Sequence, residues 1–583
     1  MQNQKWMLVI LTGIMVVALL AGCGSAEAPD VDPGNGVEEP VEEPEPEMTE
    51  EEQLALLQEE RRELESRRKE ELGAFYVPLP AIGEERERVT VEAKGLYVTS
   101  SVAGFTFDEE NVEYFAEYIR RQTGQSSGAA DTSRLGDINK LEQILGMCLA
   151  SEINALVIDV KNDDGLVSWE SEIAYVEEIN SNWVIPMRHY ERLMNYLKAN
   201  DIYTIARIVV FKDPYLAKVR PDHAIQLSAG GTWRDRSGVA WVNPYDEDVW
   251  QYNIAVAQEA ALRGFDEIQW DYVRFPDNAR TYDPITHFPN KNDRPKDVGI
   301  EDFLIHSRQE LAPYNVHIAA DVFGVITRSW DDKPELIGQT WRRISRNTDY
   351  ICPMLYPSHY GTNWYGFQYP DAHPYGVLRG ALLEAIERNA AIEEPAVIRP
   401  WIQGFTASWV PGNIRYTPEV IAEQIIAGKE LGINEYLIWS AGNNYDYRTF
   451  FYHDRIGDRG PAPGKDLIDR TPEEALRRFL SGQQHGRHHH VFLLTPIGDR
   501  EAHYSDMEAR LGQSELRLTR YTVGDIEQQS DGTYVALVDY RYESRDGIAE
   551  AEKGRFRIVT ENDVFKVVPP TLRFEQPQEE QSD

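Results

Sequence analysis

The sequence predicts a (β/α)₈ barrel, and two observations predict it. Eight apolar, strand-like runs alternate with amphipathic stretches from Lys94 to about residue 446. That alternation builds a parallel sheet with helices packed outside it. Polar and aromatic residues also gather at the carboxyl ends of those runs, where barrels of this kind carry their sites. An open, doubly wound sheet is the alternative. No glycine-rich phosphate loop follows the first run, which weakens a nucleotide-binding version of it.

The runs are GLYVTSS (95–101), ALVIDVK (155–161), YTIARIVVF (203–211), EIQWDYV (267–273), HIAADVF (317–323), DYICPMLY (349–356), IRPWIQGF (398–405) and EYLIWSAG (435–442). Amphipathic stretches at 187–200, 246–263, 301–312 and 417–431 lie between them. The last opens on Thr417-Pro418-Glu419, an N-cap followed by proline at the first helical position. The fourth run is the most informative. In FDEIQWDYVRFPD (265–277), Glu267, Gln269 and Asp271 share one face, and Ile268 and Trp270 share the other. Such a strand suits the wall of a polar cavity, and it is expected to stop at Pro276, which cannot donate to a ladder.

Other segments flank the barrel, which is expected over 94–446. Residues 1–23 read as an export signal: Lys5, an apolar stretch from Trp6 to Leu20, then Leu20-Ala21-Gly22-Cys23. This last run is similar to a bacterial lipobox, which implies lipidation of Cys23, a membrane-anchored lipoprotein and an extracytoplasmic location. Residues 24–48, rich in Glu, Pro, Gly and Ala, are expected to form an extended tether. Residues 49–72 are expected to form a charged stalk helix with Thr49 as its cap. A linker at 447–470 precedes a small α+β domain at 471–575, whose pattern resembles cystatin-like or NTF2-like domains.

The net charge of −38 argues against a nucleic-acid partner, because a phosphate backbone needs a basic footprint. Cys148 and Cys352 are far apart in sequence and read as small buried apolar residues. No zinc spacing, HExxH, GxSxG elbow or complete calcium loop is present. The run HGRHHH (485–490) lacks a partnering acidic motif. No cofactor or metal is therefore expected.

The strand ends carry a different inventory. Asp159 ends the second run, Arg207 lies on the third, Asp271 and Arg274 follow on the fourth, and Asp321 is on the fifth. Tyr356 and His359 close the sixth, Trp401 and Gln403 the seventh, and Trp439 the eighth. Glycoside hydrolysis fits this set. It needs one carboxylic acid to protonate the leaving oxygen and one carboxylate to attack or to activate water. Rings such as Trp270, Trp364, Trp401, Trp409 and Trp439 offer platforms for sugar faces. Asp159, Asp271 and Asp321 are the candidate catalytic carboxylates. Their alternative role is pairing with Arg207, Arg274 or Lys161 in a structural network. A carbohydrate-binding envelope lipoprotein without catalysis is the alternative function.

The runs VIDVKNDDG (157–165), FDEIQWDYVRFPD (265–277), AADVFG (319–324), CPMLYPSHY (352–360) and IWSAGN (438–443) together resemble a bacterial glycosyl hydrolase domain family. Its barrels are similar to those of alpha-amylase-type glycosidases. The resemblance implies a polysaccharide or oligosaccharide substrate, Asp271 as nucleophile and Asp321 as acid/base. Amylase-type barrels carry Glu at the fifth-strand position. Asp321 is shorter by a methylene, so a substrate-binding role for it stays open.

Overall fold

The computed structural model describes residues 48–83, 86–328, 336–451, 463–466, 470–485, 491, 494–496, 516–544, 549–561 and 564–570. The signal segment with Cys23, the tether up to residue 47 and the histidines at 488–490 lie outside them. The chain divides into two units, Met1–Glu60 and Arg61–Asp583. In the first, Thr49 caps a helix that begins at Glu50, and its Oγ1 accepts from the Glu52 N–H at 3.3 Å.

In the second unit, eight parallel strands close on themselves. They are β1 (Lys94–Val98), β2 (Ala155–Lys161), β3 (Tyr203–Val209), β4 (Glu267–Asp271), β5 (His317–Phe323), β6 (Tyr350–Met354), β7 (Val397–Ile398 and Trp401–Gln403) and β8 (Tyr436–Trp439). β8 pairs with β1 through Leu437↔Gly95, and that parallel pairing completes the ring. β7 is broken at Arg399-Pro400, where proline removes a ladder donor. Its first half pairs with β6 at Ile351↔Ile398, and its second half reaches both neighbours, at Trp401↔Met354 and Trp401↔Leu437.

The alternation of side chains splits the barrel's apolar residues into two cores. Outward residues such as Ile268, Trp270, Ile318 and Val322 join the large cluster beneath the helices. The helix Glu247–Leu262 is buried along most of its length, as befits a helix wedged between barrel and surface elements. Inward residues, among them Val157, Ile205, Ala319, Cys352 and Leu437, form a separate core inside the ring. Its floor is ionic. Arg399 bonds both Glu267 oxygens, at 2.8 and 2.9 Å, and Glu435 at 2.7 Å, while the Tyr350 ring lies 3.6 Å from its guanidinium. That cluster plugs the floor, which leaves the strands' carboxyl ends as the place for a ligand among the described residues.

The small C-terminal domain has its own core. The helix Pro472–Gln484 begins with a capping box between Thr471 and Glu474 and packs on four antiparallel strands. These are β9 (Leu516–Gln528), β10 (Tyr534–Ser544), β11 (Ala549–Glu561) and β12 (Val564–Val568). Arg470 joins this domain to the barrel, bonding Asp466 at 2.9 Å and Glu387 at 2.5 Å.

Candidate active site

β4 ends earlier than its sequence suggests, at Asp271 rather than near Pro276. The cause is Tyr272, whose φ of +49° takes the chain out of extended conformation. A left-handed conformation at a bulky residue costs about 1–3 kcal/mol, and such strain clusters at functional sites. Here it folds the Tyr272 N–H back onto Asp271 Oδ1, at 2.6 Å. It also brings the Tyr272 hydroxyl to Lys212 Nζ, at 3.1 Å.

Arg207, on β3, organises the carboxylates. It is 1% exposed. Its Nε and Nη2 donate to Asp271 Oδ2 at 2.8 and 2.5 Å, and its Nη1 to Asp159 Oδ1 at 2.6 Å. Nη2 also meets Asp163 Oδ2 at 3.1 Å. The Tyr97 hydroxyl donates to the other Asp159 oxygen at 2.5 Å, and the Tyr97 ring stacks on Trp439 at 4.0 Å. Asp159 is thus occupied from both sides and orients Arg207 from behind. Lys161 takes no part. A register shift between Asp159 and Lys161 turns it outward, to Asp213 at 2.7 Å and Asn253 at 3.1 Å.

Asp321, on β5, has a different environment. No cation pairs with it among the described residues. Trp401 Nε1 donates to its Oδ1 at 2.7 Å. Burial, and then the neighbouring Asp271 charge, push its carboxyl well above the ordinary carboxylate range. That environment favours its protonated form. Because Oδ1 accepts from the indole, Oδ2 is the oxygen left for that proton.

Asp271 and Asp321 line one cavity of about 490 Å³ at the carboxyl ends of the strands. That volume suits a small ligand or part of a polymer. Arg207, Arg274, Tyr356, His359, Trp401 and Trp439 line it as well. Burial holds His359 below its usual range, so it is a neutral donor or acceptor. Tyr356 continues outward through Phe405, at 6.0 Å, to Trp409, whose ring lies parallel to Phe405 at 6.0 Å. Trp409 is 70% exposed, an unusual position for so large an apolar ring.

Three of the residues expected at the site stand elsewhere. Trp270 faces away from the barrel axis and is fully buried, edge-on to Phe303 at 5.2 Å. It is a core residue, as its parity with Ile268 requires. Gln403 is fully buried behind the wall, where it donates to Asp371 at 3.0 Å and accepts from the Ser358 N–H at 3.1 Å. Asp159 stands behind Arg207. Tyr97 and Phe323 were not singled out from the sequence. Tyr97 shares the inward face with Gly95, and that parity was its only signal. His223, Asp246 and Asp248 place ligand atoms within 4.8 Å of one another. Asp246 there caps the helix Glu247–Leu262 and pairs with His223 at 2.9 Å, which accounts for the group without an ion.

The chain is 31% identical to a hypothetical protein from Ruminiclostridium thermocellum, over 39% of this chain and 97% of that one, with a TM-score of 0.30. It is 12% identical to the glycoside hydrolase domain of PgaB (BpsB) from Bordetella bronchiseptica, over 60% and 94%, with a TM-score of 0.39. It is also 12% identical to the spore cortex-lytic enzyme SleL of Bacillus megaterium, over 66% and 77%, with a TM-score of 0.35. No curated protein matches it. A family model described as "Putative glycosyl hydrolase domain" matches residues 131–445, which include the whole of β2 to β8 and every carboxylate of the cavity, and the chain belongs to that glycosyl hydrolase family.

Proposed function

We propose that this protein hydrolyses a glycosidic bond in an extracellular or cell-envelope polysaccharide, with Asp271 and Asp321 as its two working carboxyl groups. One observation carries the reading. Two carboxyl groups of opposite character line one cavity: Asp271 in the grip of Arg207, Asp321 buried without a cation. Environments that set two acids apart in this way divide the labour of acetal cleavage.

Asp321 Oδ2 gives its proton to the leaving glycosidic oxygen as the bond to the anomeric carbon breaks. Asp271 supplies the opposing charge, either by bonding to that carbon or by taking a proton from the attacking water. Arg207 holds the Asp271 carboxylate in place, and Asp159, with Tyr97, holds Arg207. Trp439 and Tyr356 present ring faces for apolar sugar surfaces.

A carbohydrate-binding barrel without turnover is the second reading. What favours it is that both Asp271 oxygens already accept hydrogen bonds from protein donors. Purified protein screened on a polysaccharide panel with reducing-end detection separates the two. Turnover that vanishes in Asp271→Asn, with binding retained, supports catalysis. Undiminished turnover in that variant removes Asp271 from the mechanism. The lipid anchor at Cys23 belongs to the same proposal, and an unchanged membrane fraction in Cys23→Ala would sink it.

A further inference from the structure

The cavity holds two buried arginines, and they are not alike. Arg207 has carboxylates on each side of its guanidinium. Arg274 is 4% exposed, and only its Nη1 is engaged: by the Phe275 carbonyl at 3.0 Å and by Asp277 Oδ1 at 3.4 Å. Asp277 is itself half exposed, so this is a long and wet ion pair. The Nε and Nη2 groups of Arg274 have no partner among the described residues. The guanidinium is held by rings instead, 4.2 Å from the Phe323 centroid and 5.1 Å from those of Tyr272 and Trp241.

A cation this deeply buried is costly unless it is paired. Arg207 shows how the same cavity meets that cost elsewhere. The other carboxyl groups of the cavity do not serve Arg274. Asp271 is bound to Arg207, and Asp163 is shared between Arg207 and Lys212. Asp321 faces Trp401. The aromatic packing fixes the plane of the Arg274 guanidinium, and its Nε–Nη2 edge presents two parallel N–H groups. That fork matches the two oxygens of a carboxylate.

We infer that Arg274 is the specificity element of the cavity and that the sugar bound there carries a carboxylate, as in a uronic acid. The inference rests on the cavity being a carbohydrate site, and goes beyond it in naming the charge of the substrate. Asp277, at Nη1, leaves that edge open, but its negative charge partly neutralises the guanidinium and repels a second carboxylate, so it weakens the site.

The test is calorimetric titration of the purified full chain with D-glucuronate, D-galacturonate, their neutral counterparts D-glucose and D-galactose, and glucose 6-sulfate. An acidic sugar is expected to bind roughly tenfold or more tightly than its neutral counterpart, the scale of a charge-assisted bidentate contact. Arg274→Gln removes that preference, and Arg274→Lys, which loses the fork, keeps only part of it. Asp277→Asn moves the other way and strengthens acidic-sugar binding, an effect that a purely structural Arg274 would not produce. It sits at a half-exposed position and keeps the test decisive if Arg274→Gln fails to fold. Equal binding of neutral and acidic sugars, preference for the sulfate over the uronates, or no binding of either uronate overturns the inference. Matched nitrophenyl glucuronides and glucosides give the second arm. Uronate binding without hydrolysis of either series leaves the inference standing and removes the hydrolase reading. Hydrolysis of glucosides that is indifferent to Arg274→Gln does the reverse.

Discussion

Replacing Arg207 by methionine strands two buried carboxylates, and the consequence depends on pH in a calculable way. Asp271 and Asp159 have side-chain exposures of only 8% and 5%, and each loses its sole guanidinium. Breaking a buried pair by removing one partner costs about 3–5 kcal/mol. The Asp163 contact is 42% exposed and adds little. A stranded carboxylate can escape by taking up a proton. At pH 7 that escape costs about 4 kcal/mol for an acid of ordinary pKa near 3.9, and at pH 4.5 only about 1 kcal/mol. The two carboxylates share one partner, so their losses do not simply add. Burial already pushes the Asp159 carboxyl up, and Arg207 opposes that; without Arg207 the rise is larger, so the variant's stability falls as pH rises from about 4 towards 7. The expected deficit is about 4 kcal/mol at pH 7, shrinking to about 1–2 kcal/mol at pH 4.5. Urea unfolding followed by indole fluorescence measures it. All the tryptophans lie at or before Trp439, so the signal reports on the barrel and not on the small C-terminal domain. A deficit below about 1 kcal/mol at pH 7, or one that acidification leaves unchanged, would refute the argument that Arg207 neutralises buried charge.

Three further expectations follow from named contacts. Turnover declines on the alkaline side as Asp321 loses its proton, and the limb lies above the ordinary carboxylate range. Trp401→Phe removes a hydrogen bond that favours the ionised form, so it moves that limb to higher pH; a pH–rate profile in which the limb stays put or moves down counts against Asp321 as the acid. Trp409→Ala weakens kcat/KM for long oligosaccharides by roughly tenfold while sparing the shortest substrates, as expected of an outer platform contributing about 1 kcal/mol or more; equal losses at every chain length would place its role elsewhere. Trp270→Ala costs about 3–5 kcal/mol of stability, yet leaves KM unchanged in the folded fraction. A raised KM there would return Trp270 to the site.

Much of the barrel was legible because strand and helix periodicities are local. All eight strands lie where the apolar runs do, since each run had to satisfy burial on its own few residues. The end of β4 was not legible. Nothing in FDEIQWDYVRFPD requires a left-handed tyrosine, and the strain at Tyr272 persists only because Lys212 and Asp271 hold it. Parity along β4 already placed Trp270 away from the cavity, and the structure sides with parity over the general attraction of tryptophan for sugars. Gln403 has the inward-looking position but is used up by Asp371 and Ser358, partners that lie 32 and 45 residues away in sequence.

The sequence by itself determined the barrel, the end of it that is open, and the presence of acids and arginines there, because strand parity and strand order are properties of short segments. Only the tertiary structure decided how those charges are shared. Asp159 and Asp271 divide Arg207, Lys161 leaves for Asp213, Asp321 is paired with the Trp401 indole rather than a cation, and Arg274 is left with an open edge. The physical reason is that pairing between buried charges depends on distance and dielectric, and both are set only when strands far apart in the chain are brought side by side.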